Sequence, residues 1–233
     1  YRPLGLVLAV MPWNFPFWQA MRAATPVIMA GNGLLLKHAP ACTGSALALE
    51  KLWVSAGFPA GLFTTLVISE PQTAQVIANP HVCGVTLTGS ERAGRAVAAL
   101  AGQHLKKSVL ELGGSDAYIV LNDADLDHAA MQIVRSRMNN AGQVCNAAKR
   151  IIIVEPAYEP MKNKIRTLMQ SFVPGDPLLP ATTLGPMARL DLRAELHAQV
   201  QASIKAGARC ELGGTLPVGH GFFGAGAAAP ASC

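Results

Sequence analysis

The sequence predicts an α/β fold in which parallel β-sheets form two successive domains. Short apolar runs alternate with longer helical patterns along most of the chain, which is typical of strand–helix–strand units. The strand-like runs are almost continuously apolar, as expected where helices cover both faces of a sheet. Two adjacent glycines, Gly113 and Gly114, interrupt this pattern, which then starts again. We therefore predict one domain over 1–113 and a second over 114–223.

Strands and helices alternate strictly in the predicted first domain. The strands are expected at Leu4–Met11, Leu34–Lys37, Phe63–Val67, Val82–Thr88 and Lys107–Glu111. The helices are expected at Phe17–Met29, Gly44–Ser55, Thr73–Ala78 and Glu91–Leu100. Because a helix separates each strand from the next, the strands should run parallel to one another.

The second domain is predicted to contain fewer strands and longer helices. The strands are expected at Ala117–Val120 and Arg150–Val154, and the helices at Leu126–Met138, Tyr158–Ser171 and Leu190–Ala206. Residues 224–233 are rich in Ala and Gly and lack a hydrophobic period, so we expect an aberrant tail such as a frameshift near Phe223 would produce.

Composition excludes several classes of protein. Hydrophobic residues make up 51% of the chain and charged residues 14%, which argues against disorder. No apolar run reaches the roughly 18 residues of a membrane span, so we expect no membrane association. The net charge of +5 is spread thinly, with Lys106-Lys107 as its densest cluster, which disfavours nucleic-acid binding.

The five cysteines are odd in number, widely spaced and without a Cys-x-x-Cys pair. This pattern argues against a disulfide framework and against a zinc site, so no metal is expected. No signal peptide is visible, and we expect a reducing, cytoplasmic location.

Four short segments carry candidate chemistry. Thr88-Gly89-Ser90 lies between a strand and a helix, where it forms either a phosphate site at a helix N-terminus or a plain capped turn. Cys145, in Gly142-Gln143-Val144-Cys145, is either a nucleophile with Lys149 and Arg150 nearby in sequence or a buried packing residue. Glu111 ends an apolar strand and is either a buried general base or a carboxylate turned to solvent. Asn14, in Trp13-Asn14-Phe15-Pro16, either donates to an oxyanion or forms a turn.

Together and in this order, these segments resemble the successive signatures of the aldehyde dehydrogenase superfamily. The matching segments are Trp13-Asn14-Phe15-Pro16, Lys37, Thr88-Gly89-Ser90, Leu110-Glu111-Leu112-Gly113-Gly114 and Gly142-Gln143-Val144-Cys145. The resemblance runs from Tyr1 to about Phe223. Leu36-Lys37-His38-Ala39-Pro40 and Leu184-Gly185-Pro186-Met187-Ala188-Arg189 look most like succinate-semialdehyde dehydrogenases.

The resemblance implies a Rossmann-like dinucleotide-binding domain joined to part of an α/β catalytic domain, an incomplete aldehyde dehydrogenase fold. It implies that Cys145 attacks an aldehyde to form a thiohemiacetal and then a thioester. Asn14 and the Cys145 N–H would hold the oxyanion, and Glu111 would activate the hydrolytic water.

For the cofactor, the resemblance assigns Lys37 to the adenosine ribose, Gly89 and Ser90 to the pyrophosphate, and Trp13 to the nicotinamide half, with Leu112 as a further cofactor contact. Many strictly NAD-using members have a Glu three residues after the Lys, where this sequence has Pro40. NAD is the expected cofactor, and NADP stays open.

For the substrate, the resemblance assigns Arg22 to a carboxylate, as suits a guanidinium. A plain helix-surface Arg is the alternative. The second Arg of the family's pair would fall at Asn139 and is missing, with Arg137 nearby. Arg22 and the resemblance to succinate-semialdehyde dehydrogenases make succinate semialdehyde the expected aldehyde.

The family's segments before the Trp-Asn-Phe-Pro motif and after about Phe223 are absent from this sequence. We therefore expect the chain alone to be poorly stable and inactive, and the intact relative to be a homo-oligomer. A truncated remnant that at most binds the nucleotide is a second interpretation. A thiol acyltransferase that pairs Cys145 with a His is a third, which the Gly-Gln-Val-Cys context disfavours.

Overall fold

The computed structural model describes residues 2–216. The chain divides into two compact units, Tyr1–Gly113 and Gly114–Cys233. Each unit is described by itself.

The first unit contains a five-stranded sheet in which every neighbouring pair is parallel. Its strands, in chain order, are β1 (Leu6–Met11), β2 (Gly33–His38), β3 (Phe63–Thr65), β4 (Val82–Thr88) and β5 (Lys107–Glu111). In space the order is β3-β2-β1-β4-β5. Strands β2 and β3 therefore lie on one side of β1, and β4 and β5 lie on the other side. The order of the strands reverses between β1 and β4. In such sheets the crevice at the point of reversal, outside the carboxyl ends of the strands, is where ligands bind.

Four helices connect these strands: α1 (Pro16–Met29), α2 (Thr43–Ser55), α3 (Glu70–Ala78) and α4 (Glu91–Gln103). Local sequence fixes where two of them begin. Ser69 and Gln72 form a reciprocal capping box at α3, and the Ser90 hydroxyl caps α4. A proline in the first turn does not destabilise α1, because a main-chain N–H at that position would have no partner inside the helix.

Helices cover both faces of the five-stranded sheet, and each face has its own core. On one face Leu34, Leu36 and Phe63 pack with small residues of α1 and with Leu49 of α2. On the other face Leu8 and Leu87 belong to a core that includes residues of α3 and α4. Burial on both sides explains why the strands are nearly continuous apolar runs in the sequence.

The second unit contains a two-stranded parallel sheet, β6 (Ala117–Val120) and β7 (Arg150–Ile153). Its helices are α5 (Leu126–Met138), α6 (Glu155–Gln170) and α7 (Leu190–Lys205). The core of this unit has two clusters, formed by Val120, Ala130, Ile133, Ala148 and Met161, and by Val134, Met138, Met169 and Leu184.

Every strand and helix predicted in the described residues is present, and the differences concern their ends. Helix α3 begins at Glu70 and not at Thr73, because Ser69 caps it earlier. Helix α6 begins at Glu155 and not at Tyr158, with a proline accommodated in its first turn. The predicted tail at 224–233 lies outside the described residues. No helix within residues 2–216 is long and apolar enough to cross a membrane.

Candidate active site

The candidate residues of the first unit all lie at one edge of its sheet. Trp13 and Asn14 follow β1, Lys37 lies near the end of β2, Gly89 and Ser90 follow β4, and Glu111 and Leu112 lie at the end of β5. Because the five strands are parallel, their carboxyl ends meet at this edge. These seven residues, dispersed along the chain, therefore share the side of the sheet on which doubly wound folds bind ligands.

The turn that carries Asn14 is tied to the end of β2 and to the residues that follow it. The Nδ1 atom of His38 accepts the Ala39 N–H at 2.9 Å, so Nε2 carries the proton and donates to the Pro16 carbonyl, also at 2.9 Å. The Cys42 thiol lies 3.8 Å from the Trp13 carbonyl. The turn is thus held on both sides of Asn14, whose Oδ1 is shielded from solvent. Sequence reasoning missed this role of His38.

Burial perturbs both groups that hold the turn. Burial lowers the pKa of His38, which keeps the imidazole neutral and able to accept at Nδ1. Burial also raises the pKa of the Cys42 thiol, so this cysteine is an inert packing residue.

Lys37 is a buried lysine, only 8% exposed. Within residues 2–216 its side chain has neither a hydrogen bond nor an ion pair, and its ammonium is not sealed from solvent. A largely buried lysine side chain whose ammonium has no protein partner leaves its N–H donors available to a bound group that supplies oxygen acceptors. The ribose hydroxyls of a nucleotide meet this requirement.

A cavity of about 160 Å³ opens beside the ends of β2 and β3. Its walls include His38, Pro40, Thr43, Ser69 and Gln72. Its lining within the described part of the chain offers hydroxyl and amide groups and no acidic side chain. A negatively charged group entering the cavity would therefore meet no carboxylate there.

The turn between β4 and α4 contains the end of a strand, the N-terminal cap of a helix and, one turn further on, a close contact between Gly94 and Leu112. The Gly89 N–H donates to the Glu111 carbonyl at 3.0 Å, and the Ser90 hydroxyl accepts the Ala93 N–H at 3.3 Å. The prediction that Ser90 caps the helix is confirmed. A Cβ at Gly94 would lie only 2.6 Å from a methyl group of Leu112, so a larger residue at this position would displace the Leu112 side chain. This explains the second glycine of the segment.

Arg22 contacts three polar side chains at the same edge of the sheet. Its guanidinium lies 3.5 Å from the Glu111 carboxylate, 3.4 Å from the Thr88 hydroxyl and 3.3 Å from the Gln19 amide oxygen. The side chain of Glu111 is 53% exposed in this structure. Of the two interpretations of Glu111, the structure agrees with a carboxylate turned to solvent, because β5 is the edge strand and lies open to solvent.

In the second unit, Cys145 is exposed, so its interpretation as a buried packing residue is wrong. It follows a tight segment in which Asn140, Ala141 and Gly142 all have positive φ, at 49°, 53° and 78°. Two consecutive left-handed residues that are not glycine are strained, and such strain persists only where the surroundings enforce it. The thiol is thus presented on a constrained turn.

Side chains from outside the turn hold this segment in place. Gly142 packs against Arg137, whose guanidinium would lie 2.9 Å from a Cβ at that position. The Gln143 amide donates to the Asn140 carbonyl at 2.9 Å, and its oxygen accepts the Ala188 N–H at 3.0 Å. Gln143 thereby links the turn to the segment that leads into α7.

Cations surround the same turn. The Lys149 ammonium donates to the carbonyls of Gly114 and Cys145, both at 2.5 Å. Arg150 donates to the Ser115 carbonyl at 2.7 Å. Both cationic side chains that the sequence places near Cys145 therefore bind main-chain oxygens, and Lys149 binds that of Cys145 itself. Within residues 2–216, no cluster of His, Cys, Asp and Glu is suited to a metal ion.

Comparison with known proteins gives consistent results. A family model described as "Aldehyde dehydrogenase family" matches residues 1–226. The succinate semialdehyde dehydrogenase [NAD(P)+] Sad of Escherichia coli (strain K12) is 50% identical over 96% of this chain and 48% of its own length. The succinate-semialdehyde dehydrogenase [NADP(+)] of Deinococcus radiodurans is 48% identical over 96% of this chain and 47% of its own. The chain spans about half the length of the curated relatives it matches.

Solved structures of aldehyde dehydrogenases also match the fold of this chain. The succinic semialdehyde dehydrogenase of Streptococcus pyogenes, crystallised with NADP+ as the cofactor, superposes with a TM-score of 0.92 at 42% identity, over 95% of this chain and 49% of that one. A lactaldehyde dehydrogenase superposes with a TM-score of 0.91 at 32% identity, over 96% and 47% of the two chains.

Proposed function

Because the chain belongs to the aldehyde dehydrogenase family, we propose that it supplies the nucleophile and much of the dinucleotide-binding surface for the NAD(P)-dependent oxidation of an aldehyde. The observation that carries this proposal is Cys145, an exposed thiol on a constrained turn with the Lys149 ammonium bound to its own carbonyl. A positive group near a thiol favours the thiolate, which is the reactive form.

In the proposed reaction the Cys145 thiolate adds to the aldehyde carbon, and the carbonyl π electrons move to oxygen. The amide N–H of Asn14 and the main-chain N–H of Cys145 donate to this oxyanion. NAD or NADP, when bound, would supply the acceptor for the hydride that leaves this carbon, so that the carbon is oxidised to a thioester. Water, losing a proton to Glu111, then adds to the thioester carbon, and the carbon–sulfur bond breaks to release the acid and Cys145.

We assign dinucleotide binding to residues 1–113 and the nucleophile to residues 114–223. The dinucleotide assignment is supported by the unpartnered, buried Lys37, by the capped α4 N-terminus at Ser90 and by the sheet order. Gly89, Trp13 and Leu112 complete the proposed contacts. The cavity beside Pro40 has no acidic side chain in its described lining, so it tolerates a 2′-phosphate, and we propose that both NAD and NADP are accepted.

We propose succinate semialdehyde as the substrate, with Arg22 as the residue that binds its carboxylate. The relatives at 48% and 50% identity are named for this aldehyde. Arg22 supports the proposal because its guanidinium lies at the ligand-binding edge of the sheet and already holds a carboxylate, that of Glu111. A fork of N–H donors suits this recognition better than an ammonium would.

We further propose that the protein works in a reducing cytoplasm and that the intact relative is a homo-oligomer. All four described cysteines are free thiols, which suits a reducing compartment. Ile119 of β6 and Ile152 of β7 are 66% and 51% exposed, and such apolar residues on a two-stranded sheet favour contact with a further protein surface.

The test is to mix the protein with succinate semialdehyde and NADP and to follow both reduced nicotinamide and the mass of the Cys145 peptide. We expect the intact protein, at the length of its relatives, to form reduced nicotinamide together with an acyl adduct on Cys145, and to lose both in Cys145→Ala. Hydride transfer that survives in Cys145→Ala would contradict the assignment of the nucleophile. Cys83→Ala is the matched control, because this thiol lies in the first unit away from the candidate residues and should not matter.

A second candidate function is nucleotide binding without turnover, favoured by the half-length match to the relatives. The same experiment separates the two. Saturable NADP binding that Lys37→Met abolishes, with no adduct on Cys145, would support this second function for the chain by itself.

A further inference from the structure

Lys149 joins two segments of the second unit that are far apart in sequence. Its ammonium donates to the Gly114 carbonyl, 35 residues earlier, and to the Cys145 carbonyl, four residues earlier. A Cβ placed on Gly114 would lie 3.8 Å from the Cys145 carbonyl oxygen, so the two main-chain segments are themselves in van der Waals range. The ammonium thus closes a contact that backbone packing has already brought together.

The main chain before Lys149 is fixed independently. The Ala147 N–H donates to the Val144 carbonyl at 3.2 Å, which forms a turn around Cys145. The Ala148 N–H donates to the Ser136 hydroxyl at 3.2 Å, and that hydroxyl lies 2.9 Å from the Tyr118 hydroxyl. Ala147 and Ala148 are fully buried. Lys149 therefore leaves the core at a defined place and needs little freedom to reach the Cys145 carbonyl.

The charges around the turn form a small cluster of Arg137, Lys149, Asp116 and Cys145. Burial and then the neighbouring Arg137 lower the pKa of Lys149, while Cys145 and Asp116 oppose the shift. The cluster therefore holds more positive charge than negative charge, and the adjoining Arg150 adds to it.

We propose that Lys149 is a positioning residue for the nucleophile, which ties the main chain of Cys145 to that of Gly114 and holds a positive charge near the thiol. This proposal rests on the proposed function, in which Cys145 is the nucleophile. Lys149 does not touch the reacting atoms. It acts through the orientation of the Cys145 peptide and through the electrostatic potential at the sulfur.

The experiment measures the alkylation rate of each cysteine in the full chain by peptide mass spectrometry, with neutral iodoacetamide and with anionic iodoacetate. The variants are Lys149→Met, which removes the donors and the charge, and Lys149→Arg, which keeps both. Lys205→Met is the matched control, because it removes one ammonium from the end of α7 in the same unit.

With iodoacetamide, we expect Lys149→Met to slow the alkylation of Cys145 roughly fivefold, the effect of losing a partly exposed charge partner. The ratio of the iodoacetate rate to the iodoacetamide rate should also fall, because it reports the positive potential at the sulfur and not the accessibility of the thiol. Lys149→Arg should restore both values, and Lys205→Met should change neither. Unchanged rates and an unchanged ratio in Lys149→Met would overturn the proposal.

Cys210 controls for folding, since it lies in the same unit and is only partly exposed. If Lys149→Met opens the unit, Cys210 will react faster. In that case the alkylation rates of Cys145 in Lys149→Gln and Lys149→Arg are compared. We expect Cys145 to react more slowly in Lys149→Gln, and equal rates would overturn the proposal. The assay needs no aldehyde and no dinucleotide, so its result is independent of whether Cys145→Ala abolishes turnover.

Discussion

The guanidinium of Arg22 lies 3.5 Å from the carboxylate of Glu111, so the proposed substrate-binding cation and the proposed base are ion-pair partners. Both side chains are about half exposed, and such pairs contribute only about 1 kcal/mol or less. A carboxylate on the substrate can therefore displace Glu111 from Arg22. Binding of the substrate and release of the base would then be a single event.

We expect Glu111→Gln to lower the Kd for succinate semialdehyde by a few fold, because it removes the competitor for Arg22, while thioester hydrolysis slows by about 10²-fold or more. Equilibrium binding of the aldehyde and the decay of the acyl adduct on Cys145 after a single turnover measure the two effects.

Arg22→Gln should raise the KM for this aldehyde about tenfold and leave an uncharged aldehyde of similar length unaffected. An equal change for both aldehydes would contradict the role of Arg22.

Gly94 offers a stability test with an internal control. We expect Gly94→Ala to destabilise the protein by about 1–3 kcal/mol, because the new Cβ would overlap the Leu112 side chain. Displacement of Leu112 should also weaken NADP binding. Gly102, in the same helix, has open space where a Cβ would lie, with no neighbouring atom within 4 Å, so Gly102→Ala should be neutral or stabilise by at most about 1 kcal/mol. Urea unfolding of both variants measures the difference.

The strained turn before Cys145 predicts opposite effects at neighbouring positions. Gly142→Ala should destabilise by about 1–3 kcal/mol, because φ is 78° and the methyl group would meet Arg137. Ala141→Gly should stabilise by roughly 0.5 kcal/mol, because glycine relieves the left-handed strain at 53° but costs more entropy on folding. Thermal unfolding tests the signs, and loss of stability in Ala141→Gly would show that the turn is not strained.

His38 predicts a pH-dependent stability. Burial lowers its pKa in the folded protein below the unfolded value of 6.5, so the unfolded chain binds more protons in the window below 6.5. The contribution of neutral His38 to the free energy of unfolding should therefore be complete above pH 6.5. It should be lost as the pH drops through the lowered folded pKa. Urea midpoints at about pH 7.5 and about pH 5.5 measure the loss. The loss should be smaller in His38→Gln, whose amide can still donate to the Pro16 carbonyl but does not titrate.

Much of the fold could be predicted because local signals mark where its elements begin and end. Val82–Thr88, Lys107–Glu111 and Leu126–Met138 agree with the structure to the residue. Asp125, for example, caps α5 with its side chain, a signal visible in the sequence. The start of α3 could also have been found, because Ser69 and Gln72 have the spacing of a capping box.

The placement of the site could be predicted in part, and the contacts that hold it could not. Residues at the carboxyl ends of parallel strands must share one edge, so the grouping of Asn14, Lys37 and Ser90 follows from the strand pattern. The bond from His38 to Pro16 spans 22 residues, and that from Lys149 to Gly114 spans 35. Contacts to distant main-chain oxygens leave no periodic signal in a sequence. The exposure of Glu111 could not be decided from the sequence, because it depends on which strand lies at the edge of the sheet, and strand order leaves no local signal.

The position of β1 has a consequence for how the first unit forms. In this sheet β1 is the central strand, and it pairs with β2 on one side and with β4 on the other. During synthesis β1 leaves the ribosome before the other four strands of the sheet, but it lacks its second neighbour until Val82–Thr88 has also emerged. Its apolar residues stay without full cover during that interval, so nascent chains that stall before β4 should be the species that chaperones bind and that aggregates recruit.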